Sequence, residues 1–259
     1  MITSRKEATH RIAMGQTGQM ISNKGFTLIE LMVVLAITSG VIAGTYWTFA
    51  NQNRAYGMQE EVVRMQQNLR TAMYIMGREI RMAGYDPTED AGATILTANA
   101  NSITFTLDDS MDGTLDDNGD GVLESGEAIT YSLYDYPATV PDGDMDIGRD
   151  PDGNGVPGSG GLTWQPLAEN TDALDFVYLD GSNPPVVLNP GGGNVPAANL
   201  PNIRAVQITI VGRADRIDRK FFNNIVYNNP QGVPILAAQN DQFHRHIMTT
   251  TVTCRNMGL

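Results

Sequence analysis

An uninterrupted apolar segment near the N-terminus constrains this chain more than any other feature. Residues 26–50, FTLIELMVVLAITSGVIAGTYWTFA, carry a single charge, that of Glu30. About 20 helical residues cross the ~30 Å hydrocarbon core of a bilayer, so the segment is long enough to span a membrane. Residues 1–25 hold four basic side chains against Glu7. By the positive-inside rule, this asymmetry predicts a cytoplasmic N-terminus, with residues 51–259 on the other side of the membrane.

Glu30 is the unusual residue in this segment. A carboxylate deep in a membrane helix costs roughly 2.5–3.5 kcal/mol on insertion scales, so it is functional by default and needs a partner. The alternative is a tolerated polar side chain near the helix end, which reaches to the membrane surface. Taken alone, the residue leaves both interpretations open.

The residues around Glu30 decide between these interpretations. The stretch GFTLIEL (25–31) resembles the signature of type IV prepilins. The resemblance implies that a prepilin peptidase cleaves between Gly25 and Phe26 and that Phe26 becomes the N-methylated terminus. It also implies that Glu30 pairs with the N-terminal amine of a neighbouring subunit. Such a buried pair fixes the register between two helices more than it adds stability.

The helical pattern continues beyond the apolar segment. Apolar residues recur every three or four positions from Val62 to Ala83, and no proline occurs before Pro87. This spacing predicts one helix over 28–83 that ends at Gly84. Its first half is apolar on all sides, and its second half is amphipathic.

Beyond residue 90 the apolar pattern changes to a period of two, which is typical of β-strands. Strands are predicted at 102–107, 128–133, 174–179, 203–211 and 246–254, and the first two form a hairpin with a long connection. The stretches 141–161 and 181–201 are so rich in Gly and Pro that no regular structure is predicted there.

One helix followed by strands indicates an α+β fold, in which the long N-terminal helix packs its amphipathic half on an antiparallel β-sheet head. The predicted parts are a leader (1–25), a membrane-spanning or filament-core helix (26–50), an amphipathic helix half (51–85) and a β-rich head (86–259).

The head also resembles the type IV pilin family, and within it PilW-like minor pilins and J-type minor pseudopilins of type II secretion. The resemblance is carried by the stretches GREIRMAGYDP (77–87), ITYSLYD (129–135), DALDFVYLDG (172–181), IRAVQITIVGRAD (203–215) and TTTVTCRN (249–256). Two departures stand out: the leader is long, and the cysteine pair of many pilins is missing, since Cys254 is the only cysteine. Strand pairing alone is therefore expected to hold the C-terminal region.

Charge is unevenly distributed along the chain. The net charge is −12, and residues 86–180 hold 21 acidic residues against Arg149 alone. Nonspecific nucleic-acid binding by the whole molecule is therefore not expected. The acidic middle segment indicates a cation-binding or strongly solvated surface instead.

One stretch within this acidic segment fits a calcium-binding loop. Residues 116–127, DDNGDGVLESGE, match the pattern D-x-[DN]-x-[DN]-G-x₅-E, which supplies hard oxygen donors suited to Ca²⁺. The predicted ligands are Asp116, Asn118, Asp120, Val122 through its carbonyl, Glu124 and Glu127. The flanks are strand-like rather than helical, and an acidic solvated turn is the alternative.

The remaining candidate sites are weaker. Asp150, Asp152, Asn154 and Gly155 repeat half of the calcium pattern, but Gly161 stands where the final glutamate is needed. His244 and His246 alternate along a strand without an evident third ligand, which favours a surface strand. Cys254 is interpreted as a structural thiol. No catalytic constellation is found, so an enzyme is not predicted.

Together these features predict a minor type IV pilin that is cleaved by prepilin peptidase and then incorporated into, or primes, a type IV pilus. Its expected partners are the peptidase, other pilin and minor pilin subunits, and the bacterial inner membrane before assembly. The head is expected in the periplasm and later at the cell surface. The alternatives are a J-type minor pseudopilin of a type II secretion system and a signal-anchored, calcium-dependent periplasmic binding module.

Overall fold

The computed structural model describes residues 25–116, 119, 123, 125–135, 144–152 and 164–258. The chain divides into two compact units, Met1–Asn53 and Arg54–Leu259. Within the described ranges the elements are helix α1 (Leu28–Met82), β1 (Ile95–Ala98), β2 (Ser102–Thr106), β3 (Ala128–Tyr134), β4 (Asp146–Asp150), β5 (Gln165–Ala168), β6 (Thr171–Leu179), a 3-10 helix (Ala197–Asn202), β7 (Ala205–Ile217), β8 (Tyr227–Asn228), β9 (Pro234–Leu236) and β10 (Phe243–Thr253). The predicted α+β class is confirmed.

Helix α1 ends where the sequence predicts. Gly84 adopts a left-handed conformation with φ +75°, which a glycine adopts without the steric cost of a Cβ. Its N–H donates to the carbonyl of Thr106 in β2. The end of the helix is thereby joined directly to the first sheet.

The predicted apolar face of α1 forms part of the head's core. Its buried side chains include Met65, Leu69, Met73, Met76 and Ile80. They pack with residues of both larger sheets, such as those in β2 and β7. Each fully buried side chain of this size contributes roughly 1.5–3 kcal/mol relative to exposure. This burial holds the amphipathic half of α1 on the head.

The strands lie in three antiparallel sheets rather than in one. The first has the order β1-β2-β3-β4-β5, the second β10-β7-β6, and the third pairs β8 with β9. The predicted hairpin is confirmed, with Ile103 opposite Tyr131. Only Glu169 and Asn170 lie between β5 in the first sheet and β6 in the second. Asn170 has φ +56° in this connection, and β6 pairs with β7 rather than with β5.

The prediction that 141–161 lacks regular structure is wrong for β4. Strand β4 pairs with β3 on one side and β5 on the other, so both of its edges have ladder partners despite its polar sequence. Gly148 lies against the rings of Tyr134 and Trp164, where a Cβ would clash. The 3-10 helix likewise overlaps the end of 181–201, and the short strands β1, β5, β8 and β9 were not predicted.

A charged joint connects α1 to the first sheet. Glu79 on α1 accepts hydrogen bonds from the Tyr131 hydroxyl of β3 and from Arg149 Nε of β4, the latter at 2.8 Å. Burial and the nearby Glu79 charge raise the pKa of Tyr131, which keeps its hydroxyl protonated as a donor. Burial alone would lower the pKa of Arg149, but its bond to Glu79 outweighs this effect and the pKa is raised.

Candidate functional site

The N-terminal end of α1 is organised by Thr27 and Glu30. The Thr27 backbone N–H and hydroxyl both donate to Glu30 Oε2 at 3.2 Å, and the Glu30 N–H donates to Thr27 Oγ1 at 3.3 Å. This reciprocal arrangement is a capping box, which satisfies backbone donors that have no partner within the helix. The sequence signal for this cap is T-x-x-E before an apolar run, and the sequence-based interpretation of Glu30 did not include it.

Gly25 precedes this cap and meets nothing in the described chain. An added Cβ would have no atom within 4 Å, and the backbone there is not left-handed. The next residue, Phe26, is 85% exposed. A larger side chain at position 25 would therefore be compatible with the fold. The peptide bond between Gly25 and Phe26 is exposed at the surface.

The first half of α1 is apolar and exposed. Every residue from 25 to 49 is exposed in the described structure, and the segment is long and apolar enough to cross a membrane. Gly40 and Gly44 lie one turn apart, and an added Cβ at either would have open space. Such a helix is stable where lipid or other apolar helices cover it, since large exposed apolar surfaces mark interaction sites. Small residues at this spacing let another helix approach closely.

Only part of the predicted calcium loop falls within the described structure. Asn118, Asp120, Val122 and Glu124 lie outside the described residues. At the start of the loop, Asp116 Oδ1 accepts the Gly119 N–H at 2.8 Å.

Glu127, the last predicted ligand, is buried, with 3% of its surface exposed. Its Oε1 accepts the Ser110 N–H at 3.1 Å. Its Oε2 has no hydrogen-bond partner among the described residues. A buried carboxylate oxygen without a partner is costly, so this atom fits a ligand position for a cation. Within the described part of the chain, no cluster of three or more potential metal ligands forms.

The second, incomplete calcium pattern has a local structural role. Asp150 is fully buried at the end of β4, and its Oδ1 accepts the Asp152 N–H at 3.2 Å. Asn154 and Gly155 lie outside the described residues.

The remaining candidates take part in packing. His244 Nε2 lies 3.2 Å from Asp218 Oδ2, and its ring stacks on Phe221 with centroids 3.9 Å apart. His246 is half-buried in β10. Cys254 is buried directly after β10, and burial raises the pKa of its thiol to about 12. The thiol is therefore protonated at neutral pH and is a poor nucleophile.

Two protein-family models match the chain. The model for prepilin peptidase-dependent protein B matches residues 58–222, which is more than half of the chain, and the model for the prokaryotic N-terminal methylation motif matches residues 20–46. No curated protein sequence matches significantly. A solved type IV-like pilin from Thermus thermophilus is similar with a TM-score of 0.43 and 16% identity, covering 76% of this chain and 100% of that chain.

Proposed function

The chain belongs to the family of prepilin peptidase-dependent protein B and is a pilin-type subunit, and from this premise we propose that it functions as a minor pilin of a type IV pilus. The main support is the coincidence of two features in one segment. The methylation motif matches residues 20–46, and the same stretch contains the start of an apolar helix without a buried residue from 28 to 49. An exposed apolar helix is suited to a membrane and then to the core of a filament.

We propose that prepilin peptidase cleaves between Gly25 and Phe26. Because nothing in the described chain contacts a Cβ at position 25, a requirement for glycine there comes from the peptidase, whose active site must approach the backbone closely. Cleavage creates a new amine on Phe26, which is then N-methylated. The leader with its basic residues stays on the cytoplasmic side, and the head lies in the periplasm.

Assembly gives Glu30 a second partner in this proposal. In the isolated chain one carboxylate oxygen, Oε2, accepts both Thr27 hydrogen bonds, so the other oxygen has no role in the capping box. The Phe26 amine of a neighbouring subunit supplies a cation for this carboxylate in an apolar environment. Each charge is expensive to hold there alone, and pairing offsets part of that cost. The pair thereby sets how far one subunit lies along the next.

The test of this proposal is the chemical state of the N-terminus. Filaments sheared from cells are analysed by mass spectrometry, and the membrane fraction of cells lacking the prepilin peptidase is the matched control. The expected mature chain starts at Phe26 with one added methyl group, and the control retains residues 1–25. Recovery of filament-bound protein with an intact leader contradicts the proposal.

A specific observation supports a calcium site in the head. Glu127 combines a buried side chain with a carboxylate oxygen that lacks a partner, and it stands at the position where the loop motif places a bidentate carboxylate. We propose that Ca²⁺ is held by Asp116, Asn118, Asp120, the carbonyl of Val122, Glu124 and Glu127. The ion would supply the charge that compensates the Glu127 carboxylate and would tie the loop to the start of β3.

Thermal unfolding of the full chain in detergent tests the calcium site. Binding to the folded state alone adds RT ln(1 + [L]/Kd), about 2.7 kcal/mol at a calcium concentration 100 times Kd. Millimolar calcium is expected to raise Tm relative to EDTA. Glu127→Gln is expected to abolish the rise, and Asp152→Ala is expected to preserve it. A wild-type Tm that does not respond to calcium shows that the loop is an acidic turn.

A further inference from the structure

The connection between β7 and β8 carries an exposed apolar cluster on the head. We use the term 217–226 loop for this stretch, counting the last residue of β7. Ile217, Phe222, Ile225 and Val226 are all exposed, with Phe222 at 60%. Elsewhere among the described residues of Arg54–Leu259, the exposed large apolar side chains are scattered along the chain. A cluster of this kind marks a surface that binds a protein or a membrane.

The backbone of this loop is fixed by buried contacts. The Asn223 side chain is buried, and its amide donates to the Tyr227 hydroxyl and to the carbonyl of Phe243. The Asn223 side-chain oxygen, Oδ1, accepts the Ile225 N–H at 3.1 Å. The Phe221 ring stacks on His244. The exposed apolar side chains therefore belong to a segment whose backbone is held in place by hydrogen bonds and packing.

Cationic side chains flank the apolar cluster. Arg216, Arg219 and Lys220 are exposed. Of the two aspartates nearby, Asp215 is exposed, whereas Asp218 is half-buried and accepts the Lys220 N–H. The loop thus combines aromatic and aliphatic side chains with exposed cations on a chain whose net charge is −12.

Three acidic residues near this end of β7 form ion pairs with two arginines. Arg213 pairs with Asp144 and Asp172, and Arg245 pairs with Asp172 and Asp241. These pairs reduce the repulsion that an anionic surface would otherwise meet at this end of the head.

The loop lies beside Glu61, near the N-terminal end of the part of α1 that packs on the head. At the end of β7, Arg216 Nε is 3.8 Å from Glu61 Oε1. The start of β7 lies by the C-terminal end of α1. There, the Cys254 N–H donates to the carbonyl of Arg204 and the Arg255 N–H donates to the carbonyl of Arg81. Glu61 follows Ala50, the last residue of the apolar segment, by only eleven positions. The chain itself therefore tethers this end of the head to the membrane-spanning segment.

We propose that the 217–226 loop inserts its apolar side chains into the lipid headgroup layer while the subunit is held in the membrane. This inference rests on the proposed function, because it requires residues 26–50 to span the bilayer. Apolar and aromatic side chains gain free energy by burial at the headgroup–acyl boundary, and neighbouring cations are attracted to lipid phosphates. A tether of this kind raises the effective concentration of the loop at the bilayer surface, so weak contacts suffice.

Site-directed spin labelling of the full chain in vesicles of phosphatidylethanolamine and phosphatidylglycerol tests the inference. One label is placed at Phe222→Cys and, as a matched control, another at Val186→Cys. Val186 is 56% exposed and lies at the opposite end of the second sheet, beside the Val187–Leu179 bridge. A labelling ratio of one spin label per chain shows that the buried Cys254 has not reacted, and hence that each variant is folded.

The label at position 222 is expected to be accessible to lipid-soluble oxygen and protected from a water-soluble nickel complex. Its oxygen-to-nickel accessibility ratio should exceed that at position 186 severalfold. Equal ratios at the two positions overturn the inference, and so does a label at position 222 that is protected from both reagents, since that result indicates burial against protein. Alkaline carbonate extraction of the same vesicles reports separately on the membrane anchor. Release of the chain refutes the proposed anchoring, whereas retention with a water-exposed label refutes the lipid contact of the loop alone.

Discussion

Replacing Glu79 should test how strongly α1 is held on the head. Its carboxylate is the shared acceptor for Tyr131 and Arg149, and the side chains of Glu79 and Arg149 are 15% and 16% exposed. Glu79→Ala removes both bonds at once. It leaves Arg149 with only a 3.5 Å contact to Gln165 as its other hydrogen bond among the described residues.

The expected cost lies between two limits. Exposed ion pairs are worth about 0–1 kcal/mol, and removing one partner of a fully buried pair costs about 3–5 kcal/mol. Because Glu79 is mostly buried and accepts two hydrogen bonds, we expect Glu79→Ala to lower the free energy of unfolding by about 3 kcal/mol. For a domain of this size, this loss corresponds to a fall in Tm of about 6–12 °C.

Denaturant unfolding of the full chain in detergent measures this loss. Arg78→Ala is the matched control. Arg78 is adjacent on the helix and mostly exposed, and its contact with Glu79 is a long one of 3.8 Å. Its unfolding free energy should change by less than about 0.5 kcal/mol. In an Arg149→Ala background, Glu79→Ala should cost clearly less, because the two residues are coupled. If Glu79→Ala unfolds with the same free energy as the wild type, the charged joint does not stabilise the head.

Four further outcomes are expected. Gly25→Leu should leave the precursor uncut on immunoblots while the head stays folded, because position 25 has open space around it; normal cleavage would refute the peptidase's need for glycine. Glu30→Gln should be processed and should keep the helix cap, because Gln also serves at this position of a capping box. The variant should nevertheless be depleted from sheared filaments, and recovery at the wild-type level would contradict charge pairing. Gly148→Ala should destabilise the head by about 1–3 kcal/mol in the same unfolding assay, because its Cβ would clash with two aromatic rings, and an unchanged midpoint would show that the rings relax freely. Cys254 should resist a thiol reagent at pH 8 until denaturant is added, because burial raises its pKa to about 12; rapid labelling of the folded chain would argue against that burial.

Sequence patterns predicted those parts of the fold that depend on local repeats. The apolar spacing along α1 and Gly84 at its end fix the helix and its limit, because both signals are contained within neighbouring residues. Strands β3 and β6 were visible for the same reason, since their apolar side chains are consecutive or alternate and lie in the core.

Strand β4 could not be predicted in this way. Its sequence, DIGRD, contains one large apolar side chain, and its stability comes from partners distant in the chain. Arg149 meets Glu79 at a separation of 70 residues, and Gly148 is required by the rings of Tyr134 in β3 and of Trp164 just before β5. Of the candidate site, the motif around Gly25 and Glu30 was readable from sequence. The missing partner of Glu127 Oε2 became visible only in three dimensions, because burial is not encoded in the spacing of acidic residues.

The junction between the end of α1 and the residues after β10 determines when the head can fold. Arg255 donates its N–H to the carbonyl of Arg81, and Asn256 donates to Met82 across 174 residues of chain. Strand β7 likewise obtains β10 as a neighbour only once residues 243–253 have been made. During synthesis, the last turn of α1 and one edge of β7 therefore lack these partners until almost the whole chain has been made. Contacts between such distant residues slow folding and prolong the exposure of apolar surface and of the unpaired strand edge. The nascent head is thus most open to aggregation or to chaperone binding before residue 256 is made.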